Sequence, residues 1–216
     1  MPEEKSIGTR QSKEFADSWN AYRAGALATH TELLYPRMIS ALSPLHGQRL
    51  LDLGCGEGSF FAELESQEPS EIFGVDINPH LIEQAKQQLP FAQFDVLNLN
   101  SNWPFKSESF DRVLSNGVLM HLDSDGLCHF ARECYRVLKP GGKAVIVVVH
   151  FDWASSMYEL DEIGEGIFTI SKQQTTLDHL EYCRTHEVLN GSFLRANFTI
   201  KREEDVPIEI VPELSQ

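Results

Sequence analysis

Short apolar runs that alternate with helical patterns fill the middle of the chain. Five of these runs predict β-strands, at residues 50–53, 71–75, 91–96, 110–115 and 143–149. Helices are predicted between them over residues 57–66, from about Pro79, and over residues 126–138. Because strands that alternate with helices are joined by right-handed crossovers, the pattern predicts a parallel sheet with helices on both faces.

The segments on either side of this central unit carry weaker patterns. Residues 15–42 have helical spacing and several aromatic side chains, and they predict a helix that covers the sheet. Residues 175–178 resemble a capping box that opens a helix to about His186. Residues 188–194 and 196–202 have the character of strands, and their close connection predicts an antiparallel pair.

Acidic side chains follow the first two strands at their carboxyl ends. The first strand runs into LLDLGCGEG, which places Asp52 before a glycine loop and Glu57 inside it. Asp76 ends the second strand about twenty residues past the glycines, the spacing at which a carboxylate holds a ribose diol. Since open parallel sheets bind ligands at this edge, the pattern predicts a ligand that contains adenosine.

The two acids of the glycine loop separate the ligands that such loops bind. A pyrophosphate would face Asp52 and Glu57 with no Lys or Arg nearby, so the loop disfavours a dinucleotide such as NAD. A ligand with a positive sulfonium and a positive amino group, but no phosphate, gains from the same charges. S-adenosylmethionine is such a ligand. The alternatives are that Asp52 is a capped buried acid and that Glu57 only complements a helix N-terminus.

The composition argues against several classes of partner. The 32 acidic and 18 basic residues give a formal net charge of −14, which disfavours nucleic acid and anionic membranes, although solubility alone also explains it. The four cysteines form no C-x-x-C pair, no metal-ligand cluster is evident, and no apolar run is long enough to span a bilayer. We therefore expect a cytoplasmic protein that binds a small molecule without a metal.

Five motifs in order resemble those of the class I S-adenosylmethionine-dependent methyltransferases, especially the small-molecule branch with ubiquinone-type and phosphoethanolamine-type enzymes. They are LLDLGCGEG, GVDIN, FDV, WPF with SFDRVLSNGVLMHL, and VLKPGGK. The resemblance implies an α/β, doubly wound, Rossmann-like sheet of seven mostly parallel strands with an antiparallel C-terminal hairpin. It divides one domain into an N-terminal helical lid (1–46), a cofactor-binding core (47–150) and an acceptor-side segment with the hairpin (151–216).

The resemblance also assigns the residues that would hold the methionine end of the cofactor. It places Gly54, Cys55 and Gly56 against the methionine moiety. Asp52 would orient the amino group, and a backbone carbonyl of Asn116, or of its neighbour Ser115, would accept from the same ammonium.

The resemblance implies that residues at the ends of the second and third strands bind the adenosine end of the cofactor. Asp76 would hold the ribose hydroxyls, and Ile77 would pack on the adenine face. Asp95 would accept from the adenine amino group, with the Val96 N–H directed at the ring.

Three further residues carry an open choice between function and packing. His121 resembles a histidine that in some relatives removes the proton of the methyl acceptor, and its alternative is a packing or capping role. Trp19 and Tyr22 are candidates for an aromatic lid over the sulfonium, and their alternative is a place in the core.

The sequence therefore predicts an enzyme that transfers a methyl group from S-adenosylmethionine to an oxygen, nitrogen or carbon atom of a small molecule. Two alternatives stay open at this point. One is a non-catalytic regulator that binds S-adenosylmethionine, and the other is an NAD-dependent oxidoreductase.

Overall fold

The computed structural model describes residues 9–148, 165–172 and 175–203, without the side chains of residues 22–31 and 165–181. Part of the predicted acceptor-side segment, at residues 151–164, 173–174 and 204–216, therefore lies outside the described residues. Within them, no helix is long and apolar enough to cross a membrane.

Five parallel strands form the central sheet, as predicted. In chain order they are β1 (Arg49–Leu53), β2 (Glu71–Asp76), β3 (Gln93–Val96), β4 (Phe110–Asn116) and β5 (Leu138–Val147). Their spatial order is β3-β2-β1-β4-β5, so the strand order reverses beside β1. The carboxyl ends of β1 and β4 therefore border the crevice where open α/β sheets bind ligands.

Helices cover both faces of this sheet. They are α1 (Lys13–Thr29), α2 (Tyr35–Leu42), α3 (Pro79–Gln88), α4 (Ser124–Val137) and α5 (His186–Arg195). A short π-helix, His30–Leu34, joins α1 to α2. The helical pattern predicted for residues 15–42 is therefore confirmed. The helix predicted over residues 57–66 is a 3-10 helix, Ser59–Gln67, and it begins after Gly58 in the left-handed region.

Strand β1 shows why the central runs are almost entirely apolar. Leu50 belongs to the hydrophobic cluster on the face that α2 covers, whereas Leu51 and Leu53 belong to the cluster on the face of α4. All three side chains are fully buried. Side chains that alternate between two buried faces leave few polar positions, which is typical of a parallel sheet, and Asp52 is the buried exception in β1.

The prediction for the C-terminal part of the chain is wrong. Residues 188–194 lie in α5, and residues 196–202 contain no strand. The helical spacing of Leu189, Phe193 and Ala196 explains this result, because all three pack in the cluster that contains α4. The ring of Phe193 lies 6.4 Å from that of Phe130.

An antiparallel pair exists earlier in the chain, where a helix was predicted. Strands β6 (Glu165–Lys172) and β7 (Thr175–Tyr182) form a separate two-stranded sheet. Ile167 lies opposite Leu180, and Ile170 opposite Leu177, so the expected capping box at residues 175–178 is instead part of a ladder. The described strands thus form a sheet of five and a pair, and the predicted single sheet of seven is not seen.

The packing of α5 predicts unequal costs for two neighbouring substitutions. Phe193→Ala should lower the free energy of unfolding by about 3 kcal/mol, because the side chain is buried. Leu194→Ala should change it by less than about 0.5 kcal/mol, since Leu194 is 54% exposed. Urea unfolding of both variants measures the difference, and equal losses would contradict the helix.

Candidate functional site

A cleft opens at the carboxyl ends of β1, β2 and β4, beneath the N-terminal segment. The space that the centre of a water molecule can reach in it is about 110 Å³, several times the ~10–15 Å³ that one water needs. Nine of the residues predicted from the sequence line this cleft: Trp19, Asp52, Gly54, Cys55, Gly56, Asp76, Ile77, Asn116 and His121.

Three predicted residues, Asp95, Val96 and Ser115, do not line the cleft in the structure, and the side chain of a fourth, Tyr22, lies outside the described residues. Asp95 and Val96 are exposed at the end of β3, where the Val96 N–H donates to the Asp95 carboxylate at 2.9 Å. Ser115 is fully buried, and its hydroxyl donates to the Leu53 carbonyl at 3.0 Å. Cofactor contacts of these four residues stay predictions.

Backbone hydrogen bonds hold the glycine loop on the end of β2. The N–H groups of Gly54 and Cys55 both donate to the Val75 carbonyl, at 2.7 and 3.0 Å. Gly54 has a φ of 83°, and an added Cβ there would lie 2.1 Å from a methyl carbon of Val118. This position therefore requires glycine both for its backbone conformation and for the close approach of the loop after β4.

Asp76 connects the glycine loop to the next helix. Its carboxylate accepts from the Gly56 N–H at 3.0 Å and from the Asn78 N–H at 2.8 Å. Burial raises the pKa of this carboxyl above its usual 3.8, while these two hydrogen bonds act in the opposite direction. A carboxylate has about four lone-pair sites, so Asp76 keeps acceptor capacity for hydroxyl groups in the cleft.

Asp52 and Cys55 lie deeper in the same wall. Asp52 is buried in β1, between Gly74 of β2 and Leu114 of β4 in the register. Burial raises the pKa of the Cys55 thiol well above its usual 9.0, and the charges of Asp52 and Asp76 raise it further. The thiol is therefore protonated near neutral pH and does not act as a nucleophile.

The N-terminal segment closes the top of the cleft. The Asn78 side chain caps α3 and donates through Nδ2 to the carbonyls of Arg10 and Ser12, at 2.6 and 3.0 Å. Phe15 and Trp19 stack with their ring planes 7° apart. The Trp19 indole nitrogen lies 3.8 Å from the place a Cβ of Gly56 would take, so this aromatic pair covers the glycine loop.

Several lining residues escaped the sequence analysis. Some directly follow a named strand end, at residues 97–100 and 117–118, and extending the prediction past each strand would have found them. The others come from the N-terminal segment, α1, α2, the 3-10 helix after β1, α3, β4 and the chain after β4. They are Arg10, Phe15, Tyr35, Met38, Phe60, Leu81, Leu114 and Leu122. Their apolar or isolated positions gave no local signal of a site.

Residues 51–146 match a family model that is described as "Methyltransferase domain". The match begins in β1 and ends in β5, so it contains the glycine loop, Asp76 and His121. The central part of the chain therefore resembles a methyltransferase domain, in agreement with the resemblance found in the sequence.

Two curated relatives resemble the methyltransferase domain and its flanks. "O-methyltransferase rstn1" of Aspergillus nomiae is 31% identical over 137 residues, which cover 60% of this chain and 59% of that protein. A "tRNA U34 carboxymethyltransferase" of Hahella chejuensis is 30% identical over 162 residues, or 71% of this chain and 49% of that protein. The chain thus spans about half the length of these relatives.

A solved structure supports the fold of the methyltransferase domain. The S-adenosylmethionine-dependent methyltransferase from Methanosarcina mazei superposes with a TM-score of 0.66 at 24% identity, covering 78% of this chain and 87% of that one. At this identity the likeness shows the shared fold alone.

The cleft fits the predicted cofactor, S-adenosylmethionine. A Cβ on Gly54 would meet Val118, and the loop is held with its backbone at the cleft wall. Two carboxylates, Asp52 and Asp76, line the cleft, and the guanidinium of Arg10, which also lines it, donates to the His121 carbonyl. Acids and glycines together suit a ligand that is positively charged and carries ribose hydroxyls.

The close approach of Val118 predicts the result of a glycine substitution. Gly54→Ala should lower the free energy of unfolding by about 1–2 kcal/mol for the left-handed backbone and by about 1–3 kcal/mol more for the overlap with Val118. Gly47→Ala is the matched control, because Gly47 also has a positive φ but nothing lies within 4 Å of its Cβ position. Urea unfolding of both variants isolates the overlap.

Adding Val118→Ala to Gly54→Ala removes the overlapping methyl group and should recover part of this loss. Equal destabilisation by Gly54→Ala and Gly47→Ala would contradict the tight contact between the two loops.

Proposed function

We propose that this protein transfers a methyl group from S-adenosylmethionine to an oxygen, nitrogen or carbon atom of a small molecule. The observation that carries the proposal is one cleft that joins the glycine loop, two buried or half-buried carboxylates and a cover of aromatic rings. When bound, S-adenosylmethionine supplies a methyl group on a positively charged sulfur, which is a good leaving group. The relative from Aspergillus nomiae, named an O-methyltransferase, agrees with such a transfer.

The protein's own part is to align the reactants and exclude water. With the cofactor bound, Asp76 would accept hydrogen bonds from the ribose hydroxyls, and Asp52 would offset the charge of the amino group. The stacked pair Phe15 and Trp19 would shield the reacting atoms from solvent, and an aromatic face beside the cationic sulfur would add about 0.5–2 kcal/mol. Holding nucleophile, methyl carbon and sulfur in line then supplies most of the acceleration.

His121 is the candidate base for acceptors that must lose a proton. It lies in a 3-10 turn, Leu119–His121, which follows β4 and lines the same cleft as the glycine loop. A neutral imidazole can accept a proton near physiological pH. The proton of the acceptor would pass to the imidazole as its oxygen, nitrogen or carbon atom bonds to the methyl group and the bond from that group to sulfur breaks, which would leave S-adenosylhomocysteine.

A small acceptor fits this chain better than a nucleic acid. The relative from Hahella chejuensis is named for a tRNA, but this chain covers only 49% of its length. The net charge of −14 repels a phosphate backbone, whose binding depends on clustered Lys and Arg. The described wall of the cleft is largely apolar, which favours an uncharged part of a small molecule beside the methyl group.

Isothermal titration calorimetry tests the identity of the cofactor. S-adenosylmethionine and S-adenosylhomocysteine should bind, and NAD should not. Asp76→Asn should weaken binding about tenfold, because a charge-assisted hydrogen bond is lost. Asp111→Asn serves as the control, since Asp111 lies at the other end of β4 and binds Lys139.

The same binding should depend on pH in one direction. Affinity in the wild-type protein should fall as the pH drops through the raised pKa of Asp76, because the hydroxyls bind the deprotonated carboxylate. In Asp76→Asn this acid limb should disappear. Binding of NAD in place of S-adenosylmethionine would contradict the proposal and favour an oxidoreductase.

Turnover is tested by formation of S-adenosylhomocysteine in pools of small metabolites. With an acceptor found in this way, His121→Ala should lower kcat about 10²–10⁴-fold and remove the rise of kcat with pH that a histidine base produces. His46→Ala is the control, because the His46 side chain is exposed and pairs with Glu68 far from the cleft.

Two outcomes would each correct a different part of the proposal. Undiminished turnover of His121→Ala at all pH values would exclude the base while leaving the transferase in place. Tight binding of S-adenosylmethionine without turnover in any pool would favour the regulator over the enzyme.

A further inference from the structure

The turn that carries His121 is too short to be rigid by itself. It contains three residues, and its internal hydrogen bonds run from the His121 N–H to the Val118 carbonyl at 2.9 Å and from the Leu122 N–H to the Leu119 carbonyl at 3.3 Å. Isolated 3-10 turns have poor hydrogen-bond geometry and little intrinsic stability. A side chain on such a turn needs support from elsewhere to hold a fixed direction in the cleft.

Two buried arginines from opposite ends of the chain provide this support. Arg184, just after β7, donates through Nη1 to the Leu119 carbonyl at 3.0 Å and through Nη2 to the Leu122 carbonyl. Arg10, in the N-terminal segment, donates through Nη1 to the His121 carbonyl at 2.9 Å. The two residues are 7% and 5% exposed. Three carbonyls of the turn and its C-cap, those of Leu119, His121 and Leu122, thus accept from guanidinium groups.

Burying a guanidinium group opposes folding, so the groups that it binds must offset the cost of its desolvation. Burial lowers the pKa of Arg184, and the guanidinium also lies over the Tyr182 ring at 5.0 Å. Its planar fork reaches two carbonyls that flank His121, a geometry that the single ammonium of lysine does not reproduce. The desolvation cost is thereby offset by interactions that all act on one turn.

Arg10 also connects this turn to the opposite side of the cleft. Its backbone carbonyl accepts from the Asn78 side chain, two residues after Asp76, while its guanidinium reaches the His121 carbonyl. One residue therefore spans from the end of β2 to the turn after β4.

We propose that Arg10 and Arg184 are positioning residues that fix the turn at 119–121 and so direct His121 into the cleft. The role in catalysis rests on the proposed function, whereas the effect on the turn does not. The two parts are therefore tested by different measurements.

Hydrogen exchange of the His121 and Leu122 amides, followed by NMR, tests the effect on the turn. Arg184→Lys keeps the charge but loses the fork, and it should accelerate exchange of both amides about tenfold or more. Arg10→Gln should accelerate exchange at least about threefold, because it removes one charge-assisted bond. The His121 imidazole resonances should shift or broaden in both variants.

Arg112→Lys is a closely matched control. Arg112 is equally buried and donates to the carbonyls of Leu42 and Pro44, but at the amino end of β4, away from the cleft. It should destabilise the protein without changing exchange at residues 121 and 122 beyond what the loss of global stability produces. Unchanged exchange in Arg184→Lys, or equal acceleration in Arg112→Lys, would overturn the proposal.

Kinetics with the acceptor from the metabolite screen tests the effect on catalysis. Arg184→Lys should lower kcat about tenfold and leave the KM for S-adenosylmethionine within about threefold, because the glycine loop and Asp76 are untouched. A rise in that KM with constant kcat would contradict the assignment. The exchange experiment needs no ligand, so it stands even if no methyl transfer is found.

Discussion

The attachment of the glycine loop to the end of β2 is the constraint on which the site depends. Gly54 and Cys55 bind the Val75 carbonyl, and Gly56 binds the Asp76 carboxylate. The same carboxylate binds the Asn78 N–H, and the Asn78 side chain then holds the N-terminal segment above the cleft. A single run of residues at the end of β2 thus positions both the floor and the cover of the cofactor site.

The electrostatics of the cleft follow from this arrangement. Asp52 and Asp76 are brought to one wall, and desolvation raises the pKa of Asp76 rather than lowering it. Desolvation disfavours the charged form of such a carboxyl group. A cationic ligand stabilises that charged form, whereas an anionic ligand destabilises it. The acids that are out of place in a phosphate loop therefore agree with the positively charged cofactor of the methyltransferase domain.

The sequence predicted those helices and strands whose conformation is set by residues close together along the chain. Strand β1 is buried on both faces, so its short apolar run, which includes Leu50 and Leu51, was sufficient to predict a strand. The C-terminal prediction failed because Leu189 and Phe193 also fit an alternating pattern, and only their contact with α4 selects the helix. Local spacing leaves such short apolar segments ambiguous between helix and strand.

Arg10 and Arg184 show a deeper limit of sequence patterns. They reach carbonyl oxygens that lie 111 and 65 positions away along the chain, and every residue type supplies such an oxygen. The residues that accept these bonds therefore leave no chemical mark in the sequence, and the donors resemble ordinary surface arginines. The motif around His121 can be recognised from neighbouring residues in the sequence. The proposed supports of the His121 side chain, Arg10 and Arg184, reach the turn only when both ends of the chain have folded against it.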